Sequence, residues 1–284
     1  MWVNLLNMNQ PMNNITILGT GTSTGVPTIG CHCAVCTSNN PKNKRFRTSI
    51  YLNTAKGKKI IVDTTPDLRS QILENKIDAV DAAIITHDHA DHLHGIDDLR
   101  PFSFFENKNI PVFTSDYFAE NMKIRFPYIF QADKIYSEER PPIGGGIPRL
   151  SLETIYPGQN NPILEENFYF DYVPHGYGQT LAFRHETFGY IIDCHEIPEQ
   201  LVRDFRDSKL KVLIIDCLKR NDHKTHLSLK KTIDYIQAIN PDFAGLIHMA
   251  HDFDHDQLAQ EMTQQFGKKV APLFDTQKLS YPSI

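Results

Sequence analysis

Residues 86–92 read T-H-D-H-A-D-H, and this stretch says more about the chain than any other. It follows a short apolar run, residues 82–85, which predicts a buried strand. If the chain stays extended beyond that strand, His87 and His89 project to the same side and form half of a metal site. Asp91 and His92 come where the chain must turn, so they can face a second point nearby. Imidazole and carboxylate donors together suit zinc, manganese or iron.

Several other apolar runs end in a side chain that suits a metal ion. Asp63, Asp193 and Asp216 each end such a run, and His248 ends a fourth. Layered α/β folds build their sites from residues at the carboxyl ends of buried strands. His175 follows an aromatic, strand-like run and is a further candidate. We expect His175, His248 and a bridging aspartate to complete a two-metal site, although sequence context does not separate Asp193 from its two rivals.

Apolar residues at helical spacing predict three helices between these strands. Pro66 lies near the first turn of one, Pro241 stops the second, and Gly267 follows the end of the third. The predicted helices cover residues 66–74, 228–240 and 256–266.

The domain organisation is predicted to be simple. One domain is expected over residues 13–284, preceded by an N-terminal tail at residues 1–12. Its middle, residues 100–150, is elaborated, rich in phenylalanine and tyrosine, and punctuated by proline. Those aromatic side chains would form a lid, the surface of a homodimer, or a plain hydrophobic core.

Three of the five cysteines, Cys31, Cys33 and Cys36, lie within six positions. This spacing is typical of a metal site and not of a secreted disulfide framework. A redox pair would use only Cys33 and Cys36. Three thiolates and one imidazole instead predict a closed, structural zinc site, a knuckle at residues 30–36. His251 is the favoured fourth ligand, ahead of two alternatives, His32 and His255.

Composition excludes several classes of protein. The formal charge of −5 opposes extended nucleic-acid binding, which needs a basic surface. No apolar stretch approaches the length of a membrane span, so no membrane association is expected. The N-terminal residues lack the pattern of a signal peptide, and a cytoplasmic location is therefore expected.

Taken together, the motifs resemble a known fold family. T-H-D-H-A-D-H followed by Gly95 is similar to the signature of the metallo-β-lactamase fold. One branch is matched more fully, through G-T-G-T-S-T-G-V-P at residues 19–27, G-C-H-C-A-V-C at 30–36 and H-M-A-H at 248–251. That branch includes the phosphodiesterase of the carbon–phosphorus lyase pathway, which acts on a ribosyl cyclic phosphate. The resemblance is weakest in the middle of the chain.

The resemblance implies an α/β fold, a four-layer αββα sandwich, with two divalent ions, zinc or manganese, between the loop ends of its sheets. It implies the following ligands: His87, His89 and His175 for one ion; Asp91, His92 and His248 for the other; Asp193 as the carboxylate that bridges them. It also implies a separate structural zinc, with these ligands: Cys31, Cys33, Cys36 and His251.

The implied activity is hydrolysis of a phosphodiester, small or cyclic, by a hydroxide that bridges the two metals. His226 falls where the branch carries a catalytic histidine, which would protonate the leaving group, and His223 is its competitor. Asp91 would also orient the nucleophile. Six basic side chains near the motifs are candidates for binding the substrate anion, and none is preferred: Arg45, Arg47, Arg69, Arg100, Lys219 and Arg220.

Two alternative functions stay open. One is an RNA-processing endonuclease of the same fold, which the acidic charge disfavours. The other is a non-hydrolytic protein of quinone-cofactor biosynthesis, which shares the cysteine knuckle. Iron in the site would favour redox chemistry, whereas zinc or manganese would favour hydrolysis.

Overall fold

Two seven-stranded sheets form the centre of the molecule. The structure is a computed structural model that describes residues 10–141, 143 and 146–283. The strands are β1 Met12–Gly19, β2 Ser49–Asn53, β3 Lys59–Val62, β4 Ala82–Ile84, β5 Ile110–Thr114, β6 Leu150–Thr154, β7 Gln159–Ile163, β8 Glu166–His175, β9 Gly178–His185, β10 Phe188–Ile191, β11 Val212–Asp216, β12 Phe243–Ile247, β13 Val270–Pro272 and β14 Lys278–Pro282.

The two sheets have matching topologies. The first has the order β14-β1-β2-β3-β4-β5-β6, and the second has the order β13-β12-β11-β10-β9-β8-β7. Strands β3 to β6 run parallel, as do β10 to β13, while the remaining neighbours pair antiparallel. The carboxyl ends of the parallel strands in each sheet therefore meet at one edge, where polar strand-end residues collect.

Helices cover the outer face of each sheet. They are α1 Leu68–Asn75, α2 Ala90–Leu93, α3 Arg100–Phe105, α4 Asp116–Arg125, α5 Pro127–Phe130, α6 Ala132–Ile135, α7 Glu199–Asp207, α8 Leu229–Ile239 and α9 His255–Phe266, with 3-10 helices at Pro41–Asn43 and Ile96–Leu99. The three helices predicted from periodicity correspond to α1, α8 and α9, with ends that differ by one or two residues.

Side-chain alternation along the strands separates three apolar clusters. In β11, Val212 and Ile214 face the core between the sheets, whereas Leu213 and Ile215 face the outer helices. The outer cluster of the second sheet includes residues of α7, α8 and α9, and that of the first sheet includes residues of α1 to α4. The layers are thus helix, sheet, sheet, helix, which confirms the predicted αββα sandwich.

The middle of the chain extends the first sheet. It contributes β5 and helices α3 to α6, and buried side chains such as Phe118 and Met122 join the apolar clusters. Of the N-terminal tail, residues 1–9 lie outside the described part, and Met12 is already the first residue of β1. Among the described residues, no helix has the length and apolar character needed to cross a membrane.

Candidate metal centre and active site

Seven of the predicted side chains meet at the edge where the parallel strands end. His87 and His89 lie on the extended segment after β4, and Asp91 and His92 lie on α2, which starts at Ala90. The second sheet contributes the remaining three from the ends of its strands: His175 at the end of β8, Asp193 after β10 and His248 after β12. The two sheets thus face each other across this cluster.

The donor atoms form two groups that share one carboxylate. Within each group the atoms lie within 4.8 Å of one another, and the groups are His87, His89, His175 and Asp193, and Asp91, His92, Asp193 and His248. Asp193 Oδ2 is 3.5 Å from His87 Nε2 and 3.3 Å from His92 Nε2. Two ligands of a tetrahedral zinc ion, each at about 2.1 Å, lie roughly 3.4 Å apart. The spacing therefore fits a metal ion on either side of Asp193.

Unpartnered polar atoms support this fit. Within the described chain, four buried atoms that face the cluster have no hydrogen-bond partner: His87 Nε2, His92 Nε2, His248 Nε2 and Asp193 Oδ1. A buried polar group left without a partner costs about 1–3 kcal/mol. Coordination of divalent ions would satisfy all four atoms at once.

Hydrogen bonds behind the cluster orient the imidazole rings. His92 Nδ1 donates to Asp63 Oδ2 at 2.8 Å, and His175 Nδ1 donates to the carbonyl oxygen of Thr225 at 2.8 Å. Because Nδ1 of each ring is directed away from the cluster, Nε2 is the nitrogen that faces it. Such partners fix the tautomer and orientation of metal-binding histidines.

Charged neighbours shift the pKa values of His92 and Asp193 within the cluster. Burial alone would lower the pKa of His92, but the carboxylates of Asp193, Asp91 and Asp63 raise that pKa well above its ordinary value. Burial alone would raise the pKa of Asp193, but His248 and His92 hold it well below the usual range. Both shifts arise from attraction between imidazole and carboxylate groups, which are the donor types that zinc and manganese bind.

Three residues of this edge adopt left-handed backbone conformations. Their φ angles are 66° at Asp63, 48° at Asp193 and 61° at His248. Left-handed conformations are uncommon for residues other than glycine and cluster at functional sites. Each one turns the chain sharply at the end of a strand, and each side chain lies in or directly behind the cluster.

A second cluster lies beside the first. The Sγ atoms of Cys31, Cys33 and Cys36 lie 3.2, 3.4 and 3.4 Å from His251 Nδ1. A zinc ion with Zn–S bonds of about 2.3 Å and a Zn–N bond of about 2.0 Å separates its ligands by similar distances. The four donors leave no open position, as expected of a structural site. His255, one of the weaker candidates, instead packs edge-on against Phe274, at 5.7 Å between ring centroids.

His226 lies against the metal cluster, and Asp216 lies behind it. Its ring stacks on His248 at 4.8 Å between centroids and meets His175 edge-on at 4.8 Å. Its Nδ1 is 3.3 Å from Asp216 Oδ2, and the other oxygen of Asp216 is 3.6 Å from His248 Nδ1. Burial alone would lower the pKa of His226, but the charge of Asp216 raises the pKa to about 9. Asp216 therefore favours the protonated form of the imidazole beside the cluster.

Two aspartates treated as rivals of Asp193 have supporting positions instead. Asp63 accepts from His92 and from Thr86, while Asp216 faces His226 and accepts from the backbone N–H of Leu227. Both side chains are fully buried. Their strand-end contexts indicated that they belong to the site, but not which of them faces the metal ions. Thr225, whose carbonyl oxygen orients His175, carried no sequence signal at all.

The fold and these donors identify the class of protein. The model of the beta-lactamase superfamily domain matches residues 58–249, and the chain belongs to that superfamily. A fold of this kind implies binding of divalent metal ions. Within the superfamily the chain lies in a PhnP-like branch. A solved structure described as a new diphosphatase from the PhnP family shares 30% sequence identity and has a TM-score of 0.82, with 95% of this chain and 97% of that chain covered.

Two further relatives are more distant or only partly covered. Zn²⁺-bound PqqB from Methylobacterium extorquens has a TM-score of 0.74 at 15% identity, over 94% of this chain and 99% of that chain, and shares the fold. An octanoyltransferase from Porphyromonas gingivalis is 32% identical over 246 residues, which is 86% of this chain and 47% of that protein. The chain thus spans about half the length of this curated relative, and a smaller share of the length of another curated relative that it matches.

Proposed function

We propose that the protein hydrolyses a phosphodiester, small or cyclic, at a centre that holds two divalent ions, zinc or manganese. The supporting observation is the carboxylate of Asp193, which belongs to both donor groups. In hydrolases with two metals, the ions lie roughly 3.5–4 Å apart and clamp both oxygens of an in-line displacement at phosphorus. The proposed ligands are His87, His89 and His175 for one ion and Asp91, His92 and His248 for the other.

The ions, when bound, would acidify a water molecule and neutralise the charge that develops on the phosphoryl oxygens. The chain itself supplies the remaining functions. His226, protonated and held by Asp216, donates its proton to the departing oxygen as general acid. Asp91, whose Oδ2 is 3.2 Å from His92 Nε2, would bind metal and also orient the attacking water.

A diphosphate is the second candidate substrate. It is favoured by the 30% identity to a protein described as a diphosphatase, over nearly the whole of both chains. Its hydrolysis also displaces an oxygen from phosphorus, so the same residues would act in the same way. The two substrates differ in the leaving group, which is an alkoxide in one case and a phosphate in the other.

The proposed partner is a small molecule in the cytoplasm, not a nucleic acid or a membrane. The formal charge of −5 disfavours the RNA-processing alternative, because binding along an RNA backbone draws on an excess of Lys and Arg. A gel assay with precursor RNA tests that alternative directly. Elemental analysis tests the redox alternative, since iron would support it and zinc or manganese would not.

The test uses two diesters whose leaving groups differ in basicity. Metal-loaded wild-type protein should hydrolyse both bis(p-nitrophenyl) phosphate and 2′,3′-cyclic AMP. His226→Ala should lower kcat on the cyclic nucleotide by roughly 10²–10⁴-fold, because its alkoxide needs a proton. The same variant should lose little on the p-nitrophenyl ester, whose leaving group is stable as an anion.

Each result has a clear meaning. If metal-loaded wild-type protein leaves both diesters and a diphosphate intact, the proposed function is wrong. If His226→Ala loses equal activity on both diesters while it keeps its metal, His226 is not the general acid.

A further inference from the structure

The segment from Lys219 to Ser228, called the 219–228 loop below, is a closed and well-fixed loop. Leu218 N–H donates to the carbonyl of Leu227 at 3.1 Å, and Leu229 N–H donates to the carbonyl of Lys219 at 2.9 Å. These two bonds join the ends of the loop. Inside it, the Ser228 hydroxyl donates to Asp222 at 2.6 Å. The loop is therefore held in a defined arrangement, with His226 against the metal cluster.

The β8–β9 hairpin docks on this loop. His175 donates to the carbonyl of Thr225, and a β carbon at Gly176 would lie 3.1 Å from Thr225 Cγ2. Gly176 also has a φ of 59°, so a side chain there would be strained as well as crowded. The next residue, Tyr177, is fully exposed at the tip of the hairpin. An exposed aromatic side chain thus lies two positions after a proposed metal ligand, His175.

His223 presents a fixed hydrogen-bond donor next to His226. Its Nδ1 accepts from the backbone N–H of Thr225 at 3.4 Å and lies 3.1 Å from the Thr225 hydroxyl. Because Nδ1 accepts, the proton of the neutral ring is on Nε2. The ring centroids of His223 and His226 are 5.5 Å apart. The Nε2–H group of His223 is therefore a hydrogen-bond donor that lies beside His226, the proposed general acid, without bonding to it.

Lys219 differs from the other five basic side chains near the motifs because no acidic or carbonyl group among the residues that the structure describes accounts for its charge. Four have partners that account for them: Arg47 with Asp67, Arg100 with Asp97, Arg220 with Glu261, and buried Arg45 with carbonyl oxygens. Arg69 lies near Asp98. Lys219 is half-buried and has no ion-pair partner anywhere in residues 10–141, 143 and 146–283. Its charge reaches His223, whose pKa is lowered by burial, by His226 and by Lys219.

We propose that Lys219, His223 and Tyr177 form a subsite for the leaving group, and that this group carries both an anion and a planar ring, as a nucleoside monophosphate does. His226 gives its proton to the departing oxygen, so the side chains next to His226 face the departing part of the substrate. Lys219 and the N–H of His223 bind its anionic group. Tyr177 stacks on its ring, as exposed aromatic residues do on nucleobases.

This inference rests on the proposed function, because it takes the role of His226 from it. The substrate class that follows is a diester or diphosphate from which a nucleotide departs. Binding of the product measures the subsite without any need for turnover. Adenosine 5′-monophosphate and inorganic phosphate are the two probes, since they share the anion and differ in the ring.

The experiment is calorimetric titration of metal-loaded protein with each probe. Wild-type protein should bind adenosine 5′-monophosphate at least tenfold more tightly than phosphate. Tyr177→Ala should weaken nucleotide binding roughly tenfold and leave phosphate binding unchanged, and Lys219→Ala should weaken nucleotide binding by a similar factor. One control variant is Phe105→Ala, at an exposed aromatic residue that ends α3. The other is Lys211→Ala, at a partly exposed lysine that pairs with Asp242 just before β11, and both variants should bind as wild type does.

The outcomes separate the two proposals. Equal affinities of wild-type protein for nucleotide and phosphate, or unchanged nucleotide binding in both Tyr177→Ala and Lys219→Ala, would overturn the subsite. Turnover of bis(p-nitrophenyl) phosphate, measured on the same preparations, reports on the metal centre instead. Protein that hydrolyses the ester but does not distinguish the probes retains the proposed function and lacks the subsite.

Discussion

Asp216 lies beside two histidines that have different tasks. Its Oδ2 is 3.3 Å from Nδ1 of His226, the proposed general acid, and its Oδ1 is 3.6 Å from Nδ1 of His248, a proposed metal ligand. The carboxylate is fully buried, so water does not screen its charge. One carboxylate thereby faces both the proposed general acid and a proposed metal ligand.

The pH dependence of catalysis follows from this carboxylate. A general acid acts in its protonated form, which is present below its pKa and is lost as the pH rises through it. Burial opposes protonation of His226, but Asp216 raises its pKa to about 9, so kcat should fall as the pH rises past about 9. Asp216→Asn removes the charge that raises the pKa. The alkaline limb should then move to lower pH, and kcat should fall about 10–100-fold.

A neighbouring carboxylate provides the control for this prediction. Asp222→Asn changes a side chain of the same loop that accepts from Ser228, so its pH profile should match that of wild type. Profiles of kcat between pH 6 and 10 on a substrate with an alkoxide leaving group make the comparison. An alkaline limb that stays in place in Asp216→Asn would show that Asp216 does not set the pKa of His226.

Helix α2 carries half of the ligands of one proposed metal site, and Gly95 fixes its position. A β carbon at Gly95 would lie 1.9 Å from the carbonyl oxygen of Thr65. Gly95 N–H also donates to the carbonyl of Thr64 at 2.9 Å. The backbone after α2 therefore lies directly on the segment that follows β3, and only glycine permits this approach.

Gly95→Ala should therefore displace α2 together with Asp91 and His92. Overpacking of a tight site costs about 1–3 kcal/mol, and against backbone atoms it costs more. We expect the Tm of the metal-loaded protein to fall by roughly 5 °C or more. Gly178→Ala is the control for stability, because its β carbon would make an ordinary contact, 3.6 Å from the carbonyl oxygen of His175. Equal Tm values for the two variants would contradict this account.

The apolar runs and the H-x-H-x-D-H spacing were enough to predict a layered α/β fold and six of the seven side chains that the fold brings together, whereas the αββα layers and the choice of Asp193 came from the resemblance to the fold family. They were not enough to rank the strand-end aspartates. Asp193 lies just after β10 and Asp216 ends β11, which are neighbours in one sheet, so a shift of one strand exchanges their positions. That choice depends on how the second sheet lies against the first, which is a long-range property.

Other features could not be predicted from the sequence, because the role of each residue depends on what surrounds it in the folded protein. The role of Thr225 is carried by its carbonyl oxygen, which every residue has. Tyr177 was identified as a subsite residue only because its side chain is exposed. Lys219 was identified only because it lacks an ion-pair partner in the described part of the chain. The strand β5, in the middle of the chain, was hidden among aromatic residues that serve the hydrophobic core.

At the scale of the molecule, the cysteine cluster and the metal centre are linked through one short segment. His248 faces the metal centre, and His251, three residues later, faces the three cysteines. Between them, Met249 N–H donates to the carbonyl of Thr20 at 2.8 Å, which joins this segment to the loop after β1. Disruption of the cysteine cluster should therefore reach the active site.

Cys33→Ser should lower the zinc content by one equivalent per chain, because thiolate ligands hold this ion. It should also lower the Tm, since a structural zinc contributes directly to folding free energy. Cys217→Ala is the control: it removes a buried thiol that belongs to neither cluster, and it should keep the full metal content. If Cys33→Ser retains as much zinc as Cys217→Ala, the cysteine cluster is not a zinc site.

The central claim is that Asp193 is shared by two metal ions at the junction of the two sheets. An anomalous difference map from a crystal of the metal-loaded protein tests it most directly. The account predicts two peaks about 3.5–4 Å apart on either side of Asp193, and a third among Cys31, Cys33, Cys36 and His251. A single peak at Asp193, or none, in crystals whose cysteine cluster is occupied would contradict it.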